Sequence, residues 1–266
     1  MSTPSITVKH LLEMKFRQQK ISVLTSYDAS MTRLMEEAGV EVLLVGDSLG
    51  MVVQGQETTL PVTLEEVIYH TRNVARGRQR ALLVADMPFM SYRTPELALE
   101  SAGRLMKEGG AHVVKLEGGQ AQLEVIRRLT EQGIPVCGHL GLIPQSVHKL
   151  GGYRVQGRES ERAEAIRQDA LALQEAGIDM LVLECVPSKL AAQITDALRV
   201  PVIGIGAGKA CDGQVLVVYD MLGMSPRPPR FVKDFLQNGG SILQAFKDYV
   251  AAVRDGSFPT REQSFD

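Results

Sequence analysis

Eight short apolar runs, each too brief for a helix, alternate along this chain with stretches of helical periodicity. Val42-Leu43-Leu44-Val45 is typical: it is apolar at every position, as a parallel strand buried on both faces must be. Strands alternating with helices imply a parallel sheet, and eight such units within 266 residues favour a closed (β/α)8 barrel over an open doubly wound sheet. The strands are expected at 21–27, 42–46, 81–86, 112–116, 134–139, 180–184, 201–205 and 214–218. Between them stand helix signals: Thr63 with Glu66 as a capping box, Thr94 followed by Pro95, and stops at Gly39, Gly133 and Gly177. The connection 206–213 is too short for a full helix. An amphipathic patch of Val8, Leu11, Leu12 and Met14 predicts a short N-terminal helix over one end of the barrel, and closing helices are expected over 231–237 and 241–254. No composition break divides the chain, so residues 1–266 read as one domain.

Charge and cysteine usage narrow the function. A formal net charge of -2 argues against a nucleic-acid partner, which calls for a basic patch or stripe. Cys137, Cys185 and Cys211 form no CxxC pair, and two of them lie in apolar strand-like runs, the pattern of buried reduced thiols in a cytoplasmic protein. No apolar run approaches the ~20 residues of a membrane span.

The strands end in chemistry. Asp47 follows the second strand, Asp86 ends the third, Glu117 follows the fourth, His139 ends the fifth and Glu184 ends the sixth. In a (β/α)8 barrel these residues converge on the C-terminal mouth, where the active sites of such folds lie. Lys115 and Glu117 are two apart and so share a face of their strand. An aspartate after a strand is most often a helix cap, but Asp47 and Asp86 both precede loops, and the loop 47–62 is long enough to be functional. Lone buried Glu184 and Lys115 would each be costly, so each needs a partner. Carboxylates brought together must be neutralised by protons or by a cation, and an oxygen-only set suits a hard cation such as Mg2+ better than zinc.

Taken together, the motifs resemble one family. Val45-Gly46-Asp47-Ser48-Leu49-Gly50, Thr59-Leu60-Pro61-Val62-Thr63, Ala85-Asp86-Met87-Pro88-Phe89, Val114-Lys115-Leu116-Glu117-Gly118-Gly119, Cys137-Gly138-His139-Leu140-Gly141-Leu142 and Leu183-Glu184-Cys185-Val186-Pro187 are similar, in this order, to those of the ketopantoate hydroxymethyltransferases. The resemblance covers nearly the whole chain. It implies a TIM barrel of the phosphoenolpyruvate/pyruvate-like group, assembled as a homo-oligomer, a decamer in most members. It also implies Mg2+ and the transfer of a hydroxymethyl group from 5,10-methylenetetrahydrofolate to 3-methyl-2-oxobutanoate, releasing tetrahydrofolate and forming ketopantoate for pantothenate synthesis. Carried onto this chain, Asp47 and Asp86 would ligate Mg2+ and, with Ser48 and Lys115, bind the 2-oxo acid. Glu117 would stand in the metal shell, directly or through water, and Glu184 would accept the proton. His139 and the long loops after the second and fifth strands are assigned to the folate side.

Two rivals stay open at this level. One is a Mg2+-dependent lyase of the isocitrate lyase or phosphonomutase kind on the same barrel, although no cysteine-bearing lid motif is present. The other is a binding barrel without catalysis, against which stands the pairing of Lys115 with Glu184, since binding alone needs no buried base.

Overall fold

A computed structural model describes residues 4–237 and 240–266. Its centre is a closed parallel barrel whose strands follow sequence order: β1 (Ile21–Thr25), β2 (Val42–Val45), β3 (Leu82–Asp86), β4 (Val113–Glu117), β5 (Val136–Gly141), β6 (Met180–Glu184), β7 (Val202–Ile205) and β8 (Gly213–Leu216). β8 pairs with β1 to close the ring, Val215 opposite Val23. Closure leaves no free strand edge, which is how this fold avoids an exposed row of backbone donors and acceptors.

The two-residue period of the strands sorts their side chains. Val23, Val42, Leu44, Val84, Lys115, Cys137, Met180, Val182, Ile203 and Val215 face the barrel interior. Their neighbours Leu24, Leu43, Leu83, Val114 and Leu181 are fully buried on the other face, beneath the helices. One step further along, the interior changes character. Thr25, Asp86, Glu117, His139 and Glu184 line a large cavity at the C-terminal ends of the strands.

Helix boundaries follow local chemistry. Asp28 caps Ala29–Ala38 by accepting from the N–H groups of Ser30 and Met31. The Thr63–Glu66 capping box opens Leu64–Gly77, and Thr94 with Pro95 opens Pro95–Arg104. The expected N-terminal helix forms over Val8–Phe16 and seals the far end of the barrel: Leu11 is buried, and Lys15 Nζ donates to Asp212 at 2.7 Å and to the Thr195 carbonyl at 2.9 Å. The short connection before β8 holds no helix, as its length requires.

Three expectations need correction. β5 starts at Val136 and runs on to Gly141, and β8 stops at Leu216, because Val218 opens a short helical turn with its N–H bonded to Thr25 Oγ1. Beside these, Ser188 is the first residue of the helix Ser188–Ala197, and its N–H and hydroxyl both donate to the Phe265 carbonyl. Most clearly, 231–237 forms no helix. Asp234 Oδ1 accepts from the N–H groups of Leu236 and Gln237, a local turn that competes with helix, and Phe231 and Phe235 are buried as separate anchors. The second closing helix does form, as Ile242–Asp255. Among the described residues no helix is long and apolar enough to cross a membrane.

Candidate active site

Strand register brings the predicted residues into one ring. Asp86 lies opposite Lys115 and Glu117 opposite His139 in the ladders. Lys115 Nζ meets Asp86 Oδ1 at 2.6 Å, while His139 reaches Glu117 through Nδ1 at 3.3 Å and Glu184 through Nε2 at 3.1 Å. All of the sequence-predicted residues, Asp47, Ser48, Asp86, Lys115, Glu117, His139 and Glu184, border the same cavity of ≈ 770 Å3, within the usual size of a small-molecule site. The ring of His139, expected on the folate side, is only 3% exposed between its two carboxylates.

Two glycines permit the close approach. A Cβ on Gly46 would stand 2.8 Å from Ser48 Oγ and 3.5 Å from Asp86 Oδ2, so glycine leaves room for the Asp86 carboxylate to accept from the Asp47 N–H at 2.9 Å. Gly141, at φ +92, lies so near the Glu184 carbonyl that a Cβ would sit 2.2 Å from it. That proximity lets Leu142 N–H bond the same carbonyl at 2.8 Å, which fixes the backbone of Glu184. The next residue, Cys185, takes a left-handed backbone at φ 49, held by its N–H to Ile205 and by Gln156 N–H to its carbonyl. Such outliers concentrate at functional sites.

The ring sets four acids, Asp47, Asp86, Glu117 and Glu184, against two basic groups, Lys115 and His139. Burial, then the charges of Asp86 and Glu117, hold the Asp47 carboxyl well above its usual range. Burial pulls Lys115 down, but Asp86, Glu117 and Asp47 outweigh it and keep the ammonium above its ordinary value. Burial and Lys115 likewise oppose protonation of His139, yet its contacts with Glu117 and Glu184 raise it to about 9.

These features fit a hard divalent cation. Asp86 Oδ1, Glu117 Oε1 and both ring nitrogens of His139 are buried without aligned hydrogen bonds, and the acids are in excess. Among the described residues no group of three His, Cys, Asp or Glu side chains is drawn together as a metal cluster. Mg2+ does not demand one, since it is held by one or two carboxylates with water and substrate oxygens completing the shell.

Sequence reasoning missed three neighbours. Gln145 is buried behind the ring and donates to both Asp47 and Glu117, and the Tyr92 hydroxyl donates to Gln145. Tyr27 Oη lies 2.8 Å from Ser48 Oγ. None is charged; Tyr27 closes the first expected strand without an acid or histidine, and the sequence signal for Gln145 was the long loop after the fifth strand. The cavity mouth adds Arg154, Arg227 and Arg230. None of these arginines pairs with a carboxylate among the described residues, and Arg230 lies 5.5 Å over the Phe265 ring.

Comparison with known proteins separates the rivals. A sequence model of the family described as Ketopantoate hydroxymethyltransferase matches residues 5–261. The 3-methyl-2-oxobutanoate hydroxymethyltransferase of Nitrosococcus oceani is 58% identical over 261 residues, spanning 98% of this chain and 99% of its own. That of Halorhodospira halophila is 57% identical over 262 residues, spanning 98% and 95%. Among solved structures, phosphoenolpyruvate phosphomutase from Streptomyces platensis subsp. rosaceus superposes with a TM-score of 0.62 at 13% identity, covering 82% of this chain and 83% of that one. For 2,3-dimethylmalate lyase, described as a PEP mutase/isocitrate lyase superfamily member, the TM-score is 0.58 at 17% identity, covering 81% and 82%. The likeness to the mutase and the lyase is one of fold, whereas the likeness to the transferases holds at 57–58% identity over nearly the whole chain. The chain is an enzyme and belongs to the ketopantoate hydroxymethyltransferase family.

Proposed function

We propose that this enzyme transfers a hydroxymethyl group from 5,10-methylenetetrahydrofolate to 3-methyl-2-oxobutanoate, forming ketopantoate for pantothenate synthesis. The observation that carries the mechanism is the unequal exposure of the acids. The Glu184 side chain is 15% exposed to the cavity, against 3% for Asp86 and 2% for Glu117. Glu184 is thus the acid open to a substrate carbon, and His139 Nε2 holds one of its oxygens at 3.1 Å.

In this reading Glu184 takes the proton from C3, next to the keto group. The carbon so activated forms the new carbon–carbon bond with the one-carbon unit of the folate, and water supplies the hydroxyl oxygen as tetrahydrofolate leaves. Lys115 balances the substrate carboxylate and the charge that develops on the keto oxygen. Ser48, oriented by Tyr27, donates to the 2-oxo acid. Asp47 and Asp86, with Glu117 beside them, would hold Mg2+, which supplies Lewis-acid polarisation of the 2-oxo acid. The folate donor is itself an anion, and the basic rim of Arg154, Arg227 and Arg230 supports its entry from the mouth better than the buried His139 does. By family resemblance the enzyme works in the cytoplasm as a homo-oligomer, most simply a decamer; light scattering of the purified protein tests the number.

Glu184→Gln is the decisive variant. It should bind 3-methyl-2-oxobutanoate nearly as well as the parent yet lose exchange of the C3 hydrogen with D2O. Exchange at the parental rate would remove Glu184 from the role of base. Product that forms without the folate donor would return the site to lyase chemistry.

A further inference from the structure

Gln145 and Tyr92 do not line the cavity. Gln145 nevertheless makes the most connected set of polar contacts behind the ring. Its side-chain amide donates to Asp47 Oδ2 at 2.8 Å and to the Met87 carbonyl at 3.0 Å. Its backbone N–H donates to Glu117 Oε2 at 3.0 Å. Tyr92 Oη donates to Gln145 Oε1 at 2.5 Å, and the same hydroxyl oxygen accepts from the Glu117 N–H at 3.4 Å.

These contacts admit one orientation of the amide. Turned over, its oxygen would face the Met87 carbonyl, an acceptor with nothing to donate. In that orientation Tyr92 donates to the amide oxygen on the opposite side. Glutamate cannot replace the amide, because it brings no donor at neutral pH, and asparagine is one methylene too short to hold the same partners.

Asp47 follows β2 and Glu117 ends β4, with β3 between them. No ladder hydrogen bond joins those two strands, and their carboxylates repel. A group that donates to both therefore sets the distance and angle between them. We propose that Gln145, oriented by Tyr92, is a positioning residue that fixes the Asp47 and Glu117 carboxylates in a single working geometry. The proposal rests on the reading that both acids serve the transfer reaction.

The test uses the full-length enzyme with 3-methyl-2-oxobutanoate, methylenetetrahydrofolate and Mg2+, in the wild type, Gln145→Glu, Tyr92→Phe and the double variant. Partners one step behind a metal or catalytic group are worth about 10–100-fold when lost, so kcat of Gln145→Glu should fall by that much. The KM for the 2-oxo acid should rise less than about threefold, because an interaction that acts through other residues is expressed in turnover. Tyr92→Phe should fall less, by about tenfold, and the double variant should be no worse than Gln145→Glu, since the pair acts as a unit. Melting temperatures report folding separately. If Gln145→Glu melts early, Tyr92→Phe decides alone on the same split between kcat and KM. Turnover within about twofold of wild type, a KM rising in step with the loss of kcat, or losses that multiply in the double variant would each overturn the proposal. A wild type that makes no folate-dependent product would instead overturn the transferase reading, and the proposal with it.

Discussion

The two ends of the barrel use the same residue type for opposite purposes. At the N-terminal end, acids serve the backbone. Glu41 accepts from Ser22 N–H at 2.8 Å, from the Ser22 hydroxyl and from Arg254. Glu36 Oε1 accepts from the N–H groups of Gln79, Arg80 and Ala81 where the chain enters β3. Asp179 accepts from Val136 N–H at 3.0 Å, and Asp212 from Val202 N–H at 2.8 Å. Each of these acids anchors the start of an odd-numbered strand. At the C-terminal end, Asp47, Asp86, Glu117 and Glu184 face one another around Lys115 and His139, and two of their oxygens, Asp86 Oδ1 and Glu117 Oε1, lack an aligned donor. An acid that has satisfied its oxygens with backbone N–H groups contributes to folding. An acid left facing its own kind is held there by the fold at a cost, the pattern expected where charge is kept for chemistry.

The largest effect that this contrast predicts is at Lys115. Lys115→Met removes the ammonium around which the acids are arranged, and loss of a preorganised charge partner should lower kcat by about 100–1000-fold. The uncompensated Asp86 should also cost stability, by about 3–5 kcal/mol, unless added Mg2+ restores it. A melting curve with and without Mg2+ reads both outcomes, and a Lys115→Met enzyme of full activity would break the comparison at its charged end. The counterpart at the other end is Glu41→Gln. One of its oxygens becomes an amide that cannot accept, so stability should drop by about 1–3 kcal/mol. Turnover per folded molecule should not change. Reduced kcat without loss of stability would mean that the two ends are coupled, contrary to the division drawn here.

The contrast also explains what could be read from the sequence. The barrel was legible because buried parallel strands are apolar on both faces, as Val42 to Val45 and Met180 to Leu183 are, and because amphipathic stretches separate them. The charged ring was legible because each acid or histidine closes such a run. Lys115 and Glu117 share a face by the strand period alone. Gln145 and Tyr92 were not legible: both are neutral, both lie on loops without periodicity, and their partners come from strands far away in the chain. The acids of the N-terminal end escaped for a related reason, since their partners are backbone N–H groups that leave no mark in the sequence. Segment 231–237 misled because Phe231, Val232, Phe235 and Leu236 repeat at helical spacing. That spacing came from tertiary anchoring, with the ring of Phe235 packed edge-on against Tyr249 and Phe258.

The smallest predicted effect is at Asp179, and its sign is the sharpest check on the comparison. Burial raises the Asp179 carboxyl above its usual value, although the Val136 N–H opposes that shift. A carboxyl whose pKa is raised by folding binds more protons in the native state than in the unfolded one. Its contribution to stability is therefore present at low pH and is lost as pH rises through the folded pKa. Asp179→Asn keeps an oxygen for Val136 N–H but carries no charge, so it removes this loss. At pH 7 the variant should be as stable as the wild type or slightly more so, by no more than about 1 kcal/mol. At pH 3 the advantage should vanish, because the wild-type carboxyl is then neutral as well. Denaturant melts at the two pH values read the difference. A variant weaker at pH 7 than at pH 3, relative to wild type, would show that the ionised form is what anchors β5. Asp179 would then belong with the acids whose charge the protein uses.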